Sequence, residues 1–474
     1  MRAAHTREQI RGAEAPLLAA GVPLMARAST ALAIAVTGKL PFVYGARVVL
    51  LVGGGNNGAD ALWAGTWLRS RGAAVVAVLA GDAEPEALQA FRAAGGALTT
   101  AEAIDGADAV IDGLVGIGGT GPLREEAAAL ARRANEADSW VIGVDLPSGV
   151  DADTGAVADD AVRADLTVTF GSLKPGLLVA REHVGELRLV DIGLDLGPAQ
   201  VEVLDSSDIP RLLPRTEAAH DKYSRGVLGV AAGSQTYTGA AVLAVTSAVL
   251  AGAGMVRYAG AAHAAEQVRS HAPEAVVTEA QGADVVDQGR VQAWVVGPGL
   301  GTDEQAAQAV EAVLAQDLPV LVDADALTLC AAHPQWLQRS AATLLTPHDR
   351  EFERFGTEVG RDRIGAARAL ADRLGVHVLL KGDATVIAAP DGSVRINPTG
   401  SPLLATAGSG DVLSGAIGAL LAQGLGPMDA ASVGAFLHGR AAVLSAQGAT
   451  TSASQLVASW QQAVSEARAG DWRA

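Results

Sequence analysis

Twice along this chain, short β-rich runs alternate with longer helical stretches, and most of the runs end on a glycine or a carboxylate. The first series places strands at 48–52, 75–79, 109–111, 141–144 and 166–170, and the second near 227–231, 293–296, 320–322, 343–345, 376–380 and 385–388. Such alternation builds a parallel sheet with right-handed crossovers. The 474 residues are 49% hydrophobic and 18% charged, enough apolar material for two such cores. Between the series, DSSDIPRLLPRTEAAHDK (205–222) is polar, contains proline and loses apolar periodicity. The expected domains are therefore 1–212 and 213–474. The halves share no repeat period or motif, so they read as a fusion of unrelated α/β domains.

Composition removes several function classes. Ala supplies 98 residues and Gly 56, against 4% aromatics, which implies closely packed backbones. A formal charge of -17 argues against a nucleic-acid partner, since phosphate neutralisation needs clustered cations, whereas anionic metabolites can still bind at local backbone sites. The lone Cys330 excludes an internal disulfide framework and a cysteine-rich metal site. Neither a signal pattern nor an uninterrupted apolar span is visible, so the expectation is a cytoplasmic protein with no membrane partner. Ile10, Leu17, Leu18, Val22 and Leu24 form an apolar stripe that reads as a docking arm. The arm is compatible with a symmetric homo-oligomer such as a tetramer. Only four lysines occur, Lys39, Lys174, Lys222 and Lys381, which directs attention to each.

In the first half, VVLLVGGGNNGAD puts Gly53, Gly55 and Gly58 in G-x-G-x-x-G spacing between a strand and a helix. A nicotinamide dehydrogenase is the first rival, with Asp82 a loose candidate for its ribose acid. Asn56, Asn57 and Asp60 at the helix start read equally well as caps. The other strand ends shift the balance. DGLVGIGGTGP follows one strand, with Asp112 and a second glycine turn; DLPSGVDADTG follows the next, with Asp145 and Ser148. Three strands thus deliver amides, carboxylates and a hydroxyl to one carboxyl edge, where open α/β sheets bind ligands. The oxygens of Asn57, Asp112 and Ser148 suit a hard cation, and so few carboxylates suit a monovalent one.

GGGNNGAD, DGLVGIGGTGP, VDLPSGVDADTG and the later FGSLKPGL resemble the N-terminal domain of the bifunctional NAD(P)H-hydrate repair enzymes, the NAD(P)HX epimerases, across residues 5 to 195. The resemblance implies that Asn56, Asn57, Gly58, Ala59 and Asp60, with Gly116, Ile117, Gly118, Gly119, Thr120, Gly121 and Pro122, line the hydrated dinucleotide. It implies Asp145 as the catalytic and binding carboxylate, and Asn57, Asp112 and Ser148 as potassium ligands. Lys174 stands in the family's Lys-Pro-Gly turn, in a structural or a ligand-facing role. Ala59 and Ala61 depart from the family's N-N-G-G-D-G, and a methyl at Ala61 would crowd the ligand.

In the second half, NPTGSPLLATAGSGDVLSG places Gly408, Ser409, Gly410 and Asp411 ahead of an apolar helical run. A glycine turn opening a helix offers free N–H groups and a positive dipole end to an anion. Asp411 is then a cap, or a general base for a substrate hydroxyl attacking phosphate. No Walker A motif is present. AAGSQTYTGAAVLA, GPGLG, DADAL, TPHDREFERF and KGDAT mark further strand ends, with His348 and Lys381 reading otherwise as a surface turn and a solvated strand end.

These motifs resemble the ribokinase-like fold and, within it, the ADP/ATP-dependent NAD(P)H-hydrate dehydratases, in family order across residues 213 to 465. The implied fold is α/β throughout: a Rossmann-like three-layer α/β/α domain, then a ribokinase-like domain. The implied chemistry is phosphorylation of the hydrate's hydroxyl by ADP or ATP, then phosphate elimination to NADH or NADPH. Asp411 would be the base. Lys381, Gly382, Asp383, Ala384 and Thr385, with Ser401, Ala407, Gly408, Ser409 and Gly410, would hold the nucleotide, and Gly299 and His348 would touch NADHX or NADPHX. Magnesium is expected where phosphate groups meet. A ribokinase-type kinase of a hydroxylated vitamin precursor is the alternative enzyme, and a non-catalytic N-terminal binding module the alternative for the first half.

Overall fold

The computed structural model describes residues 1–215 and 221–470; residues 216–220 of the expected break lie outside the described residues. Two compact units emerge, Ala3–Val201 and a second formed by Met1–Arg2 with Glu202–Ala474. The division falls ahead of residue 212 because Leu204, Ile209 and Leu213 are buried in the second unit's core. The Met1 ammonium likewise pairs with Asp208 at 2.6 Å.

Strands are numbered along the chain, with β1 (Arg2–Ala4) belonging to the second sheet. The first unit contains β2 (Arg47–Val52), β3 (Ala74–Leu79), β4 (Ala97–Leu98), β5 (Ala109–Gly113), β6 (Trp140–Val144), β7 (Leu166–Phe170) and β8 (Glu186–Val190). All pair in parallel, in the order β4-β3-β2-β5-β6-β7-β8. This is the Rossmann order, and winding reverses between β2 and β5, where a crevice opens beyond the strand ends. The strands are buried on both faces: Val48, Leu50 and Val52 pack into one core cluster, Val49 and Leu51 into the opposite one.

Ahead of this sheet run α1 (Arg7–Ala19), started by a Thr6/Gln9 capping box, and α2 (Leu24–Thr37). The expected apolar stripe is only partly a packing face. Ile10 and Leu24 are buried and Leu17 and Val22 pack partially, but Leu18 is 57% exposed. After β2 comes α3 (Asn56–Ser70).

The second unit contains β9 (Val201–Val203), β10 (Val227–Ala231), β11 (Met255–Gly260), β12 (Val276–Glu279), β13 (Ala293–Val296), β14 (Val320–Val322), β15 (Thr343–Leu345), β16 (His377–Leu380), β17 (Val386–Ala388) and β18 (Val394–Ile396). Its sheet order is β1-β9-β18-β17-β16-β15-β14-β13-β10-β11-β12. Strands β10 to β16 pair in parallel, whereas β16, β17 and β18 form an antiparallel meander. The links around β17 are too short for a crossover helix, so this part of the sheet is antiparallel. Against the sheet pack α4 (Thr238–Leu250), α5 (Ser409–Ala422), α6 (Pro427–Ala446) and α7 (Ala453–Ala469). Helix α5 is buried almost all round, and a Cβ at Gly415 would stand 2.0 Å from the Ala244 carbonyl. Small residues therefore let α4 and α5 touch backbone to backbone. Among the described residues no single helix is long and apolar enough to cross a membrane. Gly415→Val should wedge these helices apart and cost the second unit about 1–3 kcal/mol, seen as a lowered thermal transition for that unit alone.

Candidate active sites

In the first unit, the turn after β2 lies so close to the β5 turn that a Cβ at Gly53 would come within 1.8 Å of the Leu114 carbonyl. This brings Asn57, at the head of α3, against β6. Its amide nitrogen donates to the Val144 carbonyl, and its oxygen abuts Gly116, where a Cβ would stand 2.0 Å away. Asp112 is fully buried and accepts from Ser148 N at 2.7 Å, Ser148 Oγ at 2.6 Å and Leu114 N at 3.2 Å. Burial outweighs these bonds and pushes its carboxyl up to about 6. Asp112 and Ser148 are thus in direct contact, while the Asn57 side chain meets the neighbouring turns at Val144 and Gly116.

Asp145 follows β6 with a left-handed backbone, φ 66°, rare for a residue with a side chain. One carboxylate oxygen accepts from Lys174 Nζ, from Phe170 N at 3.1 Å and from Thr169 Oγ1 at 3.2 Å. Lys174 is 1% exposed, and its ammonium also donates to Thr169 Oγ1 at 2.8 Å and the Phe170 carbonyl at 3.0 Å. The Lys-Pro-Gly turn thus delivers a buried cation to the site. Asp60 is nearly buried, one of its oxygens lacks a partner, and burial, then Asp145 and Glu14, push its carboxyl well above the usual range. Glu14, on α1, was not singled out from sequence; burial, then Asp145, raises it too.

Ala59 and Ala61 correct an expectation. Both are fully buried in the core, and a Cβ at Gly113 would lie 2.9 Å from the Ala61 methyl. The Ala61 side chain faces β5 and does not crowd the ligand edge, and the Ala59 side chain cannot line it. The loop from Gly116 to Pro122 lies at the rim, with Gly118, Thr120, Gly121 and Pro122 exposed. Arg7 anchors its Gly119 carbonyl while pairing with Asp151 and Asp153. Asp82 is exposed and meets the glycine turn at Gly54 through its backbone.

In the second unit the motif residues lie beyond the carboxyl ends of β10, β13, β14, β15 and β16. Gly408 opens α5 in a left-handed conformation, φ 84°, leaving the first N–H groups of that helix at the edge. Ser409 Oγ is turned inward to the Leu404 carbonyl at 2.7 Å. Asp411 stands in the first turn; burial, then Asp323, push it up to about 7, with Lys381 opposing and Asp325 and Glu351 adding. Lys381 Nζ donates to Asp323 at 2.8 Å and lies 3.6 Å from Glu351. Burial disfavours its charge, but Asp323, Glu351 and Asp411 hold the ammonium above its ordinary value.

His348 caps the helix Asp349–Glu353, accepting from Glu351 N at 3.3 Å, and its side chain is 50% exposed. Gly299, φ 62°, sits against Tyr237, joining the GPGLG turn to the turn before α4. The loop Lys381, Gly382, Asp383, Ala384 and Thr385 is closed by a Thr385 Oγ1 bond to the Gly382 carbonyl at 3.0 Å. It is also held by Arg363, which donates to the Lys381 carbonyl at 2.8 Å. Ser401 caps the 3-10 turn Pro402–Leu404, and Ala407 immediately precedes Gly408. Arg363 and Ser414 were not anticipated. Cys330 is buried with its thiol pushed up to about 12, an inert core residue.

Two family models match this chain: "YjeF-related protein N-terminus" over residues 21–176 and "NAD(P)H-hydrate dehydratase" over 228–462. The bifunctional NAD(P)H-hydrate repair enzyme Nnr of Mycobacterium tuberculosis is 51% identical, over 83% of this chain and 84% of that protein. Its namesake in Mycobacterium leprae is 50% identical over 94% of each. A solved ADP/ATP-dependent NAD(P)H-hydrate dehydratase from Bacillus subtilis, co-crystallised with ATP and Mg2+, is 30% identical with a TM-score of 0.50, covering 55% of this chain and 97% of that one. With a Rossmann-ordered first unit and a ribokinase-like second, the chain belongs to the bifunctional NAD(P)H-hydrate repair enzymes.

Proposed function

We propose that the first unit interconverts the R and S hydrates of NADH and NADPH and that the second dehydrates the S form at the expense of ADP or ATP. The observation that carries this reading is Asp411, a carboxylate raised toward neutrality in the turn that also presents the α5 N–H groups. Asp411 takes the proton of the hydrate's hydroxyl as that oxygen attacks the terminal phosphorus. The N–H groups after Gly408 stabilise the charge on the transferring phosphoryl group. Phosphate then leaves with the ring C–O bond, a ring proton is lost, and the double bond returns as NADH or NADPH, with AMP from ADP or ADP from ATP. The loop Lys381 to Thr385, with Ser401 and the α5 turn, holds the nucleotide, and Gly299 and His348 face the hydrate.

In the first unit Asp145, held by Lys174, is the carboxylate at the hydroxyl-bearing carbon, with the Asn56–Asp60 turn and the Gly116–Pro122 rim as the binding surface. Asp112 is fully buried, and among the described residues its donors, Ser148 and Leu114, carry no charge, which fits a bound potassium ion held with Asn57 and Ser148. A potassium ion held there would balance the Asp112 charge and brace the glycine turn. Among the described residues no group of three His, Cys, Asp or Glu side chains is arranged to hold a metal, so magnesium enters with the nucleotide phosphates. The assembly is a homo-oligomer, a reading supported by the exposed Phe42 and Tyr44, 79% and 84% accessible; light scattering checks it.

Purified protein given NADHX with ADP or ATP should restore the absorbance of the reduced nicotinamide; no recovery with either nucleotide refutes the dehydratase. Asp411→Asn should lower that rate by about 10²-fold or more while calorimetry still detects ADP binding. Because Asp411 works ionised and sits at about 7, the rate should fall as pH drops through that value, with the nucleotide-free protein titrating as the control. Asp145→Ala should leave the R hydrate unconsumed by chiral chromatography, and replacing potassium by a large organic cation should slow only this epimerisation.

A further inference from the structure

The DADAL turn after β14 carries an acid that the chemistry above does not use. Asp323 is 1% exposed and both its oxygens are engaged: Oδ1 accepts from Lys381 Nζ at 2.8 Å and Oδ2 from Ser414 Oγ at 2.6 Å. Ser414 lies on α5 three residues beyond Asp411, one helical turn further in. Lys381 follows β16. One carboxylate therefore ties the end of β14, the only lysine of this site and the helix that carries Asp411. The network lies directly under the anion turn, since a Cβ at Gly410 would stand 3.4 Å from Lys381 Nζ and 3.9 Å from Asp323 Oδ2. The next residue, Ala324, is held at φ 51°, a conformation an alanine adopts only when its surroundings impose it.

We propose that Asp323 is the positioning residue of the dehydratase half, locking Lys381 and α5 together and setting the charge that Asp411 meets. The inference rests on Asp411 as the base of that half. The charged groups that act on Asp411 are Asp323 and Asp325 from the β14 turn, Glu351 from the helix Asp349–Glu353, and Lys381; among these charges Asp323 is the strongest influence. Its effect is double. It repels the Asp411 carboxylate, and it occupies the ammonium that would otherwise stabilise that carboxylate. A base kept near neutrality in this way accepts the hydroxyl proton more readily than an ordinary aspartate. Ser414 contributes geometry without charge.

The test is the pH profile of kcat/KM for S-NADHX with ADP, measured on the full chain, with epimerisation by the same samples as the control for folding of the first unit. Asp323→Asn should move the midpoint of the acid limb down by about one pH unit and lower kcat. Ser414→Ala, which loses the bond and keeps the charge, should leave the midpoint in place. An unmoved midpoint in Asp323→Asn overturns the proposal. If that variant fails to fold, Lys381→Gln compared with the double variant Asp323→Asn/Lys381→Gln carries the test: the double variant should have the lower midpoint, and equal midpoints overturn the proposal. A wild-type chain that turns over no hydrate with either nucleotide refutes the dehydratase reading itself, whereas an active wild type with an unmoved midpoint refutes only the role of Asp323.

Discussion

A carboxylate buried at the end of a parallel strand cannot stand alone, because removing its charge from water costs several kcal/mol unless donors replace the water. Asp112, Asp145 and Asp323 all occupy such positions, and the turns beyond the strands are organised around them. Asp112 takes the backbone and hydroxyl of Ser148 and so joins the β5 and β6 turns. Asp145 takes Lys174, Thr169 and Phe170 and so joins β6 to the end of β7. Asp323 takes Lys381 and Ser414 and so joins β14 to the β16 turn and to α5. In each case, satisfying the buried charge also aligns the residues that face the ligand edge.

The same edges are crowded, and the composition reflects it. The turn at Gly53 and the face of α5 at Gly415 have backbone oxygen where a side chain would begin. A chain rich in alanine and glycine can bring helix starts and strand ends close enough to present N–H groups to phosphate. Polyphosphate recognition then needs few cations, so a chain of net charge -17 is no obstacle to it. The two lysines that enter the sites are consumed internally: Lys174 pairs with Asp145 and Lys381 with Asp323.

Much of this was legible in the residues. Strands at 166–170, 227–231, 293–296, 320–322 and 343–345 coincide with the observed elements because fully buried strands are short uncharged runs rich in apolar and β-branched residues. Strands β8, β11 and β12 were missed, since ELRLV, MVRYAG and VVTE mix charge into partly exposed strands nearer the sheet edge. The direction of Ala61 was misjudged for a related reason. One methyl at a helix start reads as facing the ligand or the core equally well, and only packing against Gly113 decides between them. The start of the 205–222 segment looked like a linker because its polar letters hide Ile209 and Leu213, which the second core buries together with Leu204 just before it.

By itself the sequence determined the alternating α/β architecture, the two halves and the chemistry-bearing turns, because periodicity, glycine spacing and terminal carboxylates are local properties of a chain. Tertiary structure alone decided which of those groups meet. Glu14 approaches Asp145 from a helix far upstream, and Ser414 and Lys381 converge on Asp323 from separate elements. Burial then decided how they behave, lifting Asp112 to about 6 and Asp411 to about 7. Proton affinity depends on lost water and on charges brought near by folding, and neither is written in the order of the residues.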